Sequence, residues 1–469
     1  MSGSSPQAVV ERALELSRSS SCMVLVRERS TADLRWAGSS LTTNGVARSR
    51  TVTVIALTDG PSGTSVGVMA RSGLRDDELE ELVRAAEAAS GSALPSEEAA
   101  PLLGPAEAGS GGAWDAPPAA TGVDVFSAAA TGLGRAFRAS ADSGRLHYGY
   151  AEHTVESVFL GTSTGVRLRH DQPTGTIEMN TRGNSAGGAD PRSAWVGRAT
   201  RDFTDVDPDA LDAELARRAE WARTPVELPA GRYETVLPPT AVADMMVPMY
   251  FDSGARDASE GRSAFSDGEG GVRIGERIAG LPLTLLSDPA RPGLECAPFV
   301  AADAPGRDVS AFDNGLPLRR TEWVSNGVLS ALGQTRATAA RLGTPPAGFV
   351  DNLVLEQEGA AGGTDDLVAS TERGLLLTCL WYIRMVDPQT MLLTGLTRDG
   401  VYLIEDGRIA GAVNNFRFNE SPVGLLRRAT EAGAPVPALS REMGDYFPRT
   451  EMPALRIPDF NMSTVSKAS

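Results

Sequence analysis

Apolar positions along the chain switch repeatedly between a helical and a strand period. Near the start, Val9, Val10, Ala13, Leu14 and Leu16 share one face of a turn-by-turn pattern, with Glu11, Arg12 and Glu15 opposite. Ser5 and Pro6 supply an N-cap and a first helical residue. The period then falls to two: residues 22–27, 50–57 and 66–70 predict strands, the last two flanking a hairpin at Asp59, Gly60 and Pro61. Leu79, Leu82, Val83 and Ala86 restore helical spacing over 75–90, with Gly91 placed to stop it.

Residues 90–120 are rich in Ala, Pro, Gly and Ser and read as a mobile connecting segment. A helix is predicted over 123–141, then a β-meander through 146–150, 155–160 and 166–169 that continues to about Arg182. Asp207 and Pro208 cap a further helix with Leu211, Leu215 and Trp221 inward, and Pro225 and Pro229 close this unit. From Tyr233 the pattern is β-rich, with one helix at about 240–251 and strands over 375–386, 391–396, 401–405 and 408–413. Asp399-Gly400 and Asp406-Gly407 read as hairpin turns, because glycine tolerates the positive φ those turns demand. The reading is an α+β chain with an N-terminal α/β unit (1–95), a connection (96–120), a middle α+β unit (121–228) and a large β-rich C-terminal domain (229–469).

Charge narrows the function. Lys and Arg number 44 against 60 Asp and Glu, a formal net charge of −16 over 469 residues, and no basic patch interrupts it. Such a surface repels phosphate backbones and argues against nucleic acid as a partner. Three scattered cysteines, Cys22, Cys296 and Cys379, exclude a disulfide framework or zinc ribbon and fit a reducing cytoplasm. The longest apolar run, 374–383, is about half of what a membrane-spanning helix needs. The expectation is a cytoplasmic protein without a membrane partner.

Motifs that could carry chemistry are few. G-x-S-x-G occurs twice, around Ser65 and Ser163, but both runs continue into strand-like alternation where a nucleophile elbow needs a helix, so both read as turns. The histidines are His147, His153 and His170. On one unbroken strand the first two share a face, and the third could return beside them as a metal site; plain surface histidines are the commoner case. The glycine-rich stretches 268–271 and 359–363 follow no buried strand and lack the Lys-Ser/Thr of a phosphate loop. Trp381, Tyr382 and Arg384 lie in an apolar strand, where core packing competes with contact to a peptide or ligand.

The order of features resembles the PmbA/TldD family. The resemblance is carried by Asn44-Gly45 with the hairpin and the 75–90 helix, by the run from Gly261 to Phe265 after the 240–251 helix, and by 400–409 followed by 413–421. It spans nearly the whole chain. For TldD-type members the resemblance implies a His-Glu-x-x-x-His motif on the central helix plus a cysteine near the C-terminus, which bind a zinc-like ion that activates water for peptide hydrolysis. TldE-type (PmbA-type) members lack those ligands and pair with a TldD-type chain.

Counted back without gaps from Gly261, the motif positions of this chain are Met246, Val247 and Phe251. No histidine follows His170 and no cysteine follows Cys379. Thioether, isopropyl and phenyl groups cannot replace imidazole and carboxylate. Pro248 within the motif is expected to shorten or kink its helix. The resemblance therefore implies a non-catalytic TldE-like subunit of a heterodimeric metallopeptidase acting on unfolded or small peptides, including peptide natural-product precursors. It implies no catalytic residue, metal or cofactor in this chain, a zinc-like ion in an HExxxH-bearing partner, and an extended peptide held by strand addition. Arg262, Phe265, Trp381, Tyr382 and Arg384 are the candidate substrate or partner contacts. Two rivals stay open: a stand-alone homodimeric peptide-binding or scaffold protein, and an independent hydrolase with a different site, metal-free or built on His147, His153 and His170.

Overall fold

The two-residue alternation over 21–200 builds a single antiparallel sheet in a computed structural model that describes residues 3–183 and 193–466. Its strands are β1 (Ser21–Ala37), β2 (Ser40–Gly60), β3 (Gly63–Ser72), β4 (Arg145–Thr162), β5 (Arg167–Gly183) and β6 (Ser193–Thr200), ordered β3-β2-β1-β4-β5-β6. β1 pairs with β4 over residues 23–36 against 149–162, so the N-terminal and middle stretches share one sheet. Four helices cover one face: α1 (Pro6–Leu16) and α2 (Leu79–Ser92) over one half, α3 (Ser127–Asp142) and α4 (Pro208–Trp221) over the other. Even-numbered β1 residues and odd-numbered β4 residues point to these helices. The opposite face turns to the C-terminal domain, where Met23, Leu25, Val158 and Leu160 pack with Phe299 and Phe312.

The segment expected to be a mobile connection is instead pinned along its length. Ser96 N–H donates to Thr64 O (2.9 Å), Gly109 N–H to Gly315 O (2.8 Å) and Gly112 N–H to Arg169 O (2.7 Å). Its one deeply buried carboxylate, Glu98, accepts from Arg256 (2.7 Å), Arg341 (3.1 Å) and Thr335 Oγ1 (2.6 Å) of the C-terminal domain. A composition of small residues and prolines suits a strap held by backbone hydrogen bonds as well as it suits a linker.

The C-terminal domain wraps two sheets around helix α5 (Pro239–Phe251). One sheet has six strands, including Leu283–Ser287, Thr321–Ser325 and Leu353–Gln357; the other has ten and contains 231–237, 373–387, 392–405 and 455–465. Every residue from Ala241 to Tyr250 is buried, so α5 is apolar all round, the signature of an internal helix. It runs on to Phe251 despite Pro248, so the expected shortening is not seen.

Asp406-Gly407 forms the hairpin its sequence predicts, with φ of +48° and +74°. Asp399-Gly400 does not. Residues 392–397 pair with 380–387 and 416–420, whereas 401–405 pair with 373–377 and 408–413. The stretch 398–400 is the bend of one long ribbon, 373–387 against 392–405, whose two halves join the curled sheet at different places. Asp399 takes φ +54° at that bend, so its residue type suits a tight turn while its strand partners make it a bend and not a hairpin.

Glu98→Ala tests the strap. Removing this carboxylate leaves Arg341 and part of Arg256 unpaired, while Arg256 keeps Glu260. The expected loss of stability is on the order of 2 kcal/mol, below the ~3–5 kcal/mol of a fully buried pair. Limited proteolysis is expected to cut the variant within 94–122 before the wild type; equal cleavage would contradict a pinned strap.

Candidate functional site

Helix α5 carries one ionisable side chain among its apolar ones that could serve as a metal ligand, Asp244, and it is wholly buried. Its Oδ1 accepts from Ser440 Oγ (2.7 Å) and from the Glu442 N–H (3.0 Å). Its Oδ2 has no partner among the described residues. Burial pushes the Asp244 carboxyl up to about 7, against the lowering effect of those hydrogen bonds. Met246 and Val247 lie in the core, and Phe251 sits at the helix end against Phe447, with ring centroids 5.5 Å apart.

These groups do not fit the family's metal. One carboxylate oxygen already saturated by two donors, beside a thioether and an isopropyl group, offers no tetrahedral nitrogen, sulfur or carboxylate set. Among the described residues no group of three or more His, Cys, Asp or Glu converges on a common point.

The turn 440–442 ties the site together. Ser440 and Glu442 hold Asp244, while the Glu442 carboxylate accepts from Arg384 Nη1 (2.7 Å) and from the Tyr382 N–H (3.0 Å). Between them Arg441 reaches across to the first sheet. Its guanidinium lies 4.3 Å from the Trp381 ring and 5.0 Å from the Trp195 ring, and donates to Glu178 Oε2 (2.8 Å). Glu178 also accepts from Trp195 Nε1 (2.8 Å) and Tyr150 OH (2.9 Å). Planar guanidinium on indole faces, with a carboxylate at the edge, is the geometry arginine is suited to.

A cavity of about 340 Å³ opens here between the domains, lined among others by Tyr148, Asn180, Arg182, Arg398, Trp381 and Arg441. Glu178 connects it to a polar groove of about 580 Å³, which contains Tyr150, Arg29, Arg35, Glu152, Asp351 and Arg449. Cys379 also lines the cavity; burial pushes its thiol up to about 12, so it stays protonated.

The structure separates the residues that sequence reasoning grouped. Trp381 faces the cavity; Tyr382 and Arg384 are exposed on the edge beside it, Tyr382 with φ +51°. Arg262 lies elsewhere, paired with Asp257 (2.7 Å) and Glu260, and Phe265 is packed into the core at 1% exposure, where it can touch neither substrate nor partner. The histidines do not converge. His147 and His153 point under the helices, bonded to Asp212 (2.8 Å) and to Thr121 (2.7 Å) with Arg201 O (2.8 Å). His170 pairs in register with Val158 on the opposite face, which removes the histidine-based metal site.

Neither G-x-S-x-G serine is activated: Ser65 Oγ donates to Ala93 O (2.9 Å), and Ser163 Oγ accepts from the Cys22 N–H (3.1 Å). Their glycines serve packing. A Cβ on Gly67 would stand 2.1 Å from Ala86 O of α2, and one on Gly161 2.3 Å from Val10 of α1.

Sequence reasoning missed Asp244, Glu178, Trp195 and the 440–442 turn. One signal was present: an aspartate in the middle of an otherwise apolar helix, which burial makes costly unless something holds it. Its partners come from 196–198 residues away and left no local pattern.

Asp244→Asn is the matching test. The folded carboxyl titrates above its unfolded value, so its contribution is full below about pH 4 and is lost as pH rises towards 7. An amide keeps the acceptor for Ser440 and Glu442 and does not ionise. The variant is expected to gain stability over wild type between pH 4 and 7, by at most on the order of 4 kcal/mol. A pH-independent difference in unfolding midpoint would contradict the buried-acid assignment.

Comparison with known proteins agrees with this architecture. Residues 230–464 match the PmbA/TldA metallopeptidase C-terminal domain, and residues 112–223 match the PmbA/TldA metallopeptidase central domain. No curated protein matches the chain in sequence. Among solved structures, TldE from Thermococcus kodakarensis superposes with a TM-score of 0.77 at 14% identity, over 97% of this chain and 99% of that one. A protein described as a candidate modulator of a DNA gyrase from Thermotoga maritima gives 0.75 at 18% identity, over 97% and 99%. Another so described, from Bacteroides thetaiotaomicron, gives 0.75 at 17% identity, over 98% of both chains. With half its length matched by one of the family's domains and the whole chain sharing the TldE fold, the protein belongs to the PmbA/TldD family.

Proposed function

We propose that this chain is the non-catalytic, TldE-like subunit of a heterodimeric metallopeptidase. A TldD-type HExxxH-bearing chain of the same family would supply the zinc-like ion and the water-activating glutamate. This chain would bind no cofactor of its own. It would wall off the inter-domain space and hold unfolded or small peptides, peptide natural-product precursors among them, in the cytoplasm. No helix among the described residues is long and apolar enough to cross a membrane, which agrees with that setting.

The observation that carries the reading is the chemistry of α5. At the positions where the family's ligands stand, Met246 and Val247 are core residues, and the carboxylate within the helix itself, Asp244, is consumed by Ser440 and Glu442. A helix built this way supports a fold and does not supply a Lewis acid. The groove and cavity on the far side of the 440–442 turn supply a second support, since they offer polar, partly enclosed space between the domains.

Strand addition at residues 380–387 is disfavoured. That edge carries two register shifts, and the Tyr382 N–H is already given to Glu442. The groove, whose wall includes Tyr150, Glu152, Thr154 and Glu156 of β4, is the better path for an extended peptide.

Co-expression with a family member carrying an intact motif tests the proposal. The two chains are expected to co-purify as a stoichiometric complex, with peptide hydrolysis in the mixture and none from this chain alone. Full activity from this chain by itself would sink the reading.

A further inference from the structure

The cavity between the sheet and the 440–442 turn is unusual in sign. The chain as a whole carries −16, yet the described side chains lining this cavity include three guanidinium groups, Arg182, Arg398 and Arg441, and a single carboxylate, Asp399. That carboxylate is engaged, accepting from Ser193 Oγ and paired with Arg398 at 3.3 Å. Glu178 lies behind Arg441 and is bonded to Trp195 and Tyr150 as well.

Donors also outnumber acceptors. Besides the arginines, the wall presents the Asn180 amide, the Tyr148 hydroxyl and the Trp381 indole, whose buried Nε1–H has no acceptor among the described residues. Arg441 spends one Nη1–H on Glu178, and its other N–H donors have no hydrogen-bond partner among the described residues. Its orientation is fixed by the two indole faces, so little rotamer entropy is lost when it binds a ligand. A wall of preorganised cationic donors selects an acceptor-only anion of matching planarity, which is a carboxylate.

We infer that this cavity is a carboxylate-binding subsite, in which Arg441, Arg182 and Arg398 capture the carboxylate of a bound peptide and Trp381 flanks its terminal residue, while the buried Trp195 holds Arg441 in place. The inference rests on the peptide-handling reading and names what that reading leaves open, namely the group that anchors the peptide. A cavity of about 340 Å³ suits the end of a chain and not its middle. The carboxylate could be the peptide's own C-terminus or an acidic side chain near it.

The experiment titrates the purified full-length chain with acetyl-trialanine, its C-terminal amide, and acetyl-Ala-Glu-Ala-amide, reading calorimetric heat and tryptophan fluorescence. Binding of the first alone assigns the C-terminus, and binding of the first and third, or of the third alone, assigns any carboxylate or the side chain; each supports the subsite. Binding is expected to weaken by about tenfold or more in Arg441→Gln, with kindred losses in Arg182→Gln and Arg398→Gln. Trp381→Phe is expected to reduce the fluorescence response. Arg398 is half exposed, so its variant serves if Arg441→Gln fails to fold. Equal affinity for the neutral amide, no binding of any probe, or affinity unmoved in the arginine variants would overturn the inference. Because the titration needs no partner, its failure leaves the heterodimer test standing, and a missing partner leaves the subsite standing.

Discussion

The complete burial of α5 is the constraint on which the C-terminal domain depends. A helix with apolar residues on every side has no solvent face, so two sheets must close around it, and both contribute to the one large core. That arrangement also decides the chemistry. Any polar group on such a helix must find its partner inside the protein, and Asp244 finds Ser440 and Glu442. The turn that satisfies Asp244 thereby places Arg441 between Trp195 and Trp381 and sets Glu442 against the strand edge at Tyr382. Core packing, one buried acid and the wall of the inter-domain cavity are linked through three consecutive residues.

The same residues that build the fold remove the metal site. A metallopeptidase helix in this position would present imidazole and carboxylate to a dication, and the burial of Met246 and Val247 replaces that ligand set with hydrocarbon and thioether. The domain so freed from ligation still encloses polar space against the first sheet, on the face that the four helices leave uncovered. On the proposed reading, fold and enclosure are retained here while the reacting centre lies in another chain. This is the pattern expected of a subunit that shapes a site completed by another chain.

Local signals in the sequence were sound and long-range ones were not. The capped helices at Ser5-Pro6 and Asp207-Pro208, the hairpin at Asp406-Gly407 and the turn around Ser163 follow from neighbouring residues alone, and the structure has them, whereas Gly63–Gly67, also expected to be a turn, lies inside β3 with Ser65 opposite Thr58. Asp399-Gly400 has the same local chemistry as Asp406-Gly407 yet bends a ribbon from one part of a curled sheet to another, because strand order is fixed by pairing partners far along the chain. The 96–120 segment looked loose because its anchors, Thr64, Arg169 and Gly315, are distant in sequence. Alternation along β4 puts His147 and His153 on one face, but pairing across to β5 puts His170 on the other, and that register is not visible in the local sequence. The candidate site was legible only through what it lacks and through Trp381; the turn at 440–442 carries no motif.

On the proposed reading this chain holds no catalytic metal and its partner does. Metal analysis of the purified chain and of its complex addresses this directly. No stoichiometric divalent ion is expected on the chain alone and one per heterodimer, retained when Cys379, His153 and Asp244 are substituted. A stoichiometric ion bound by the isolated chain, and lost on substituting any of those residues, would contradict it.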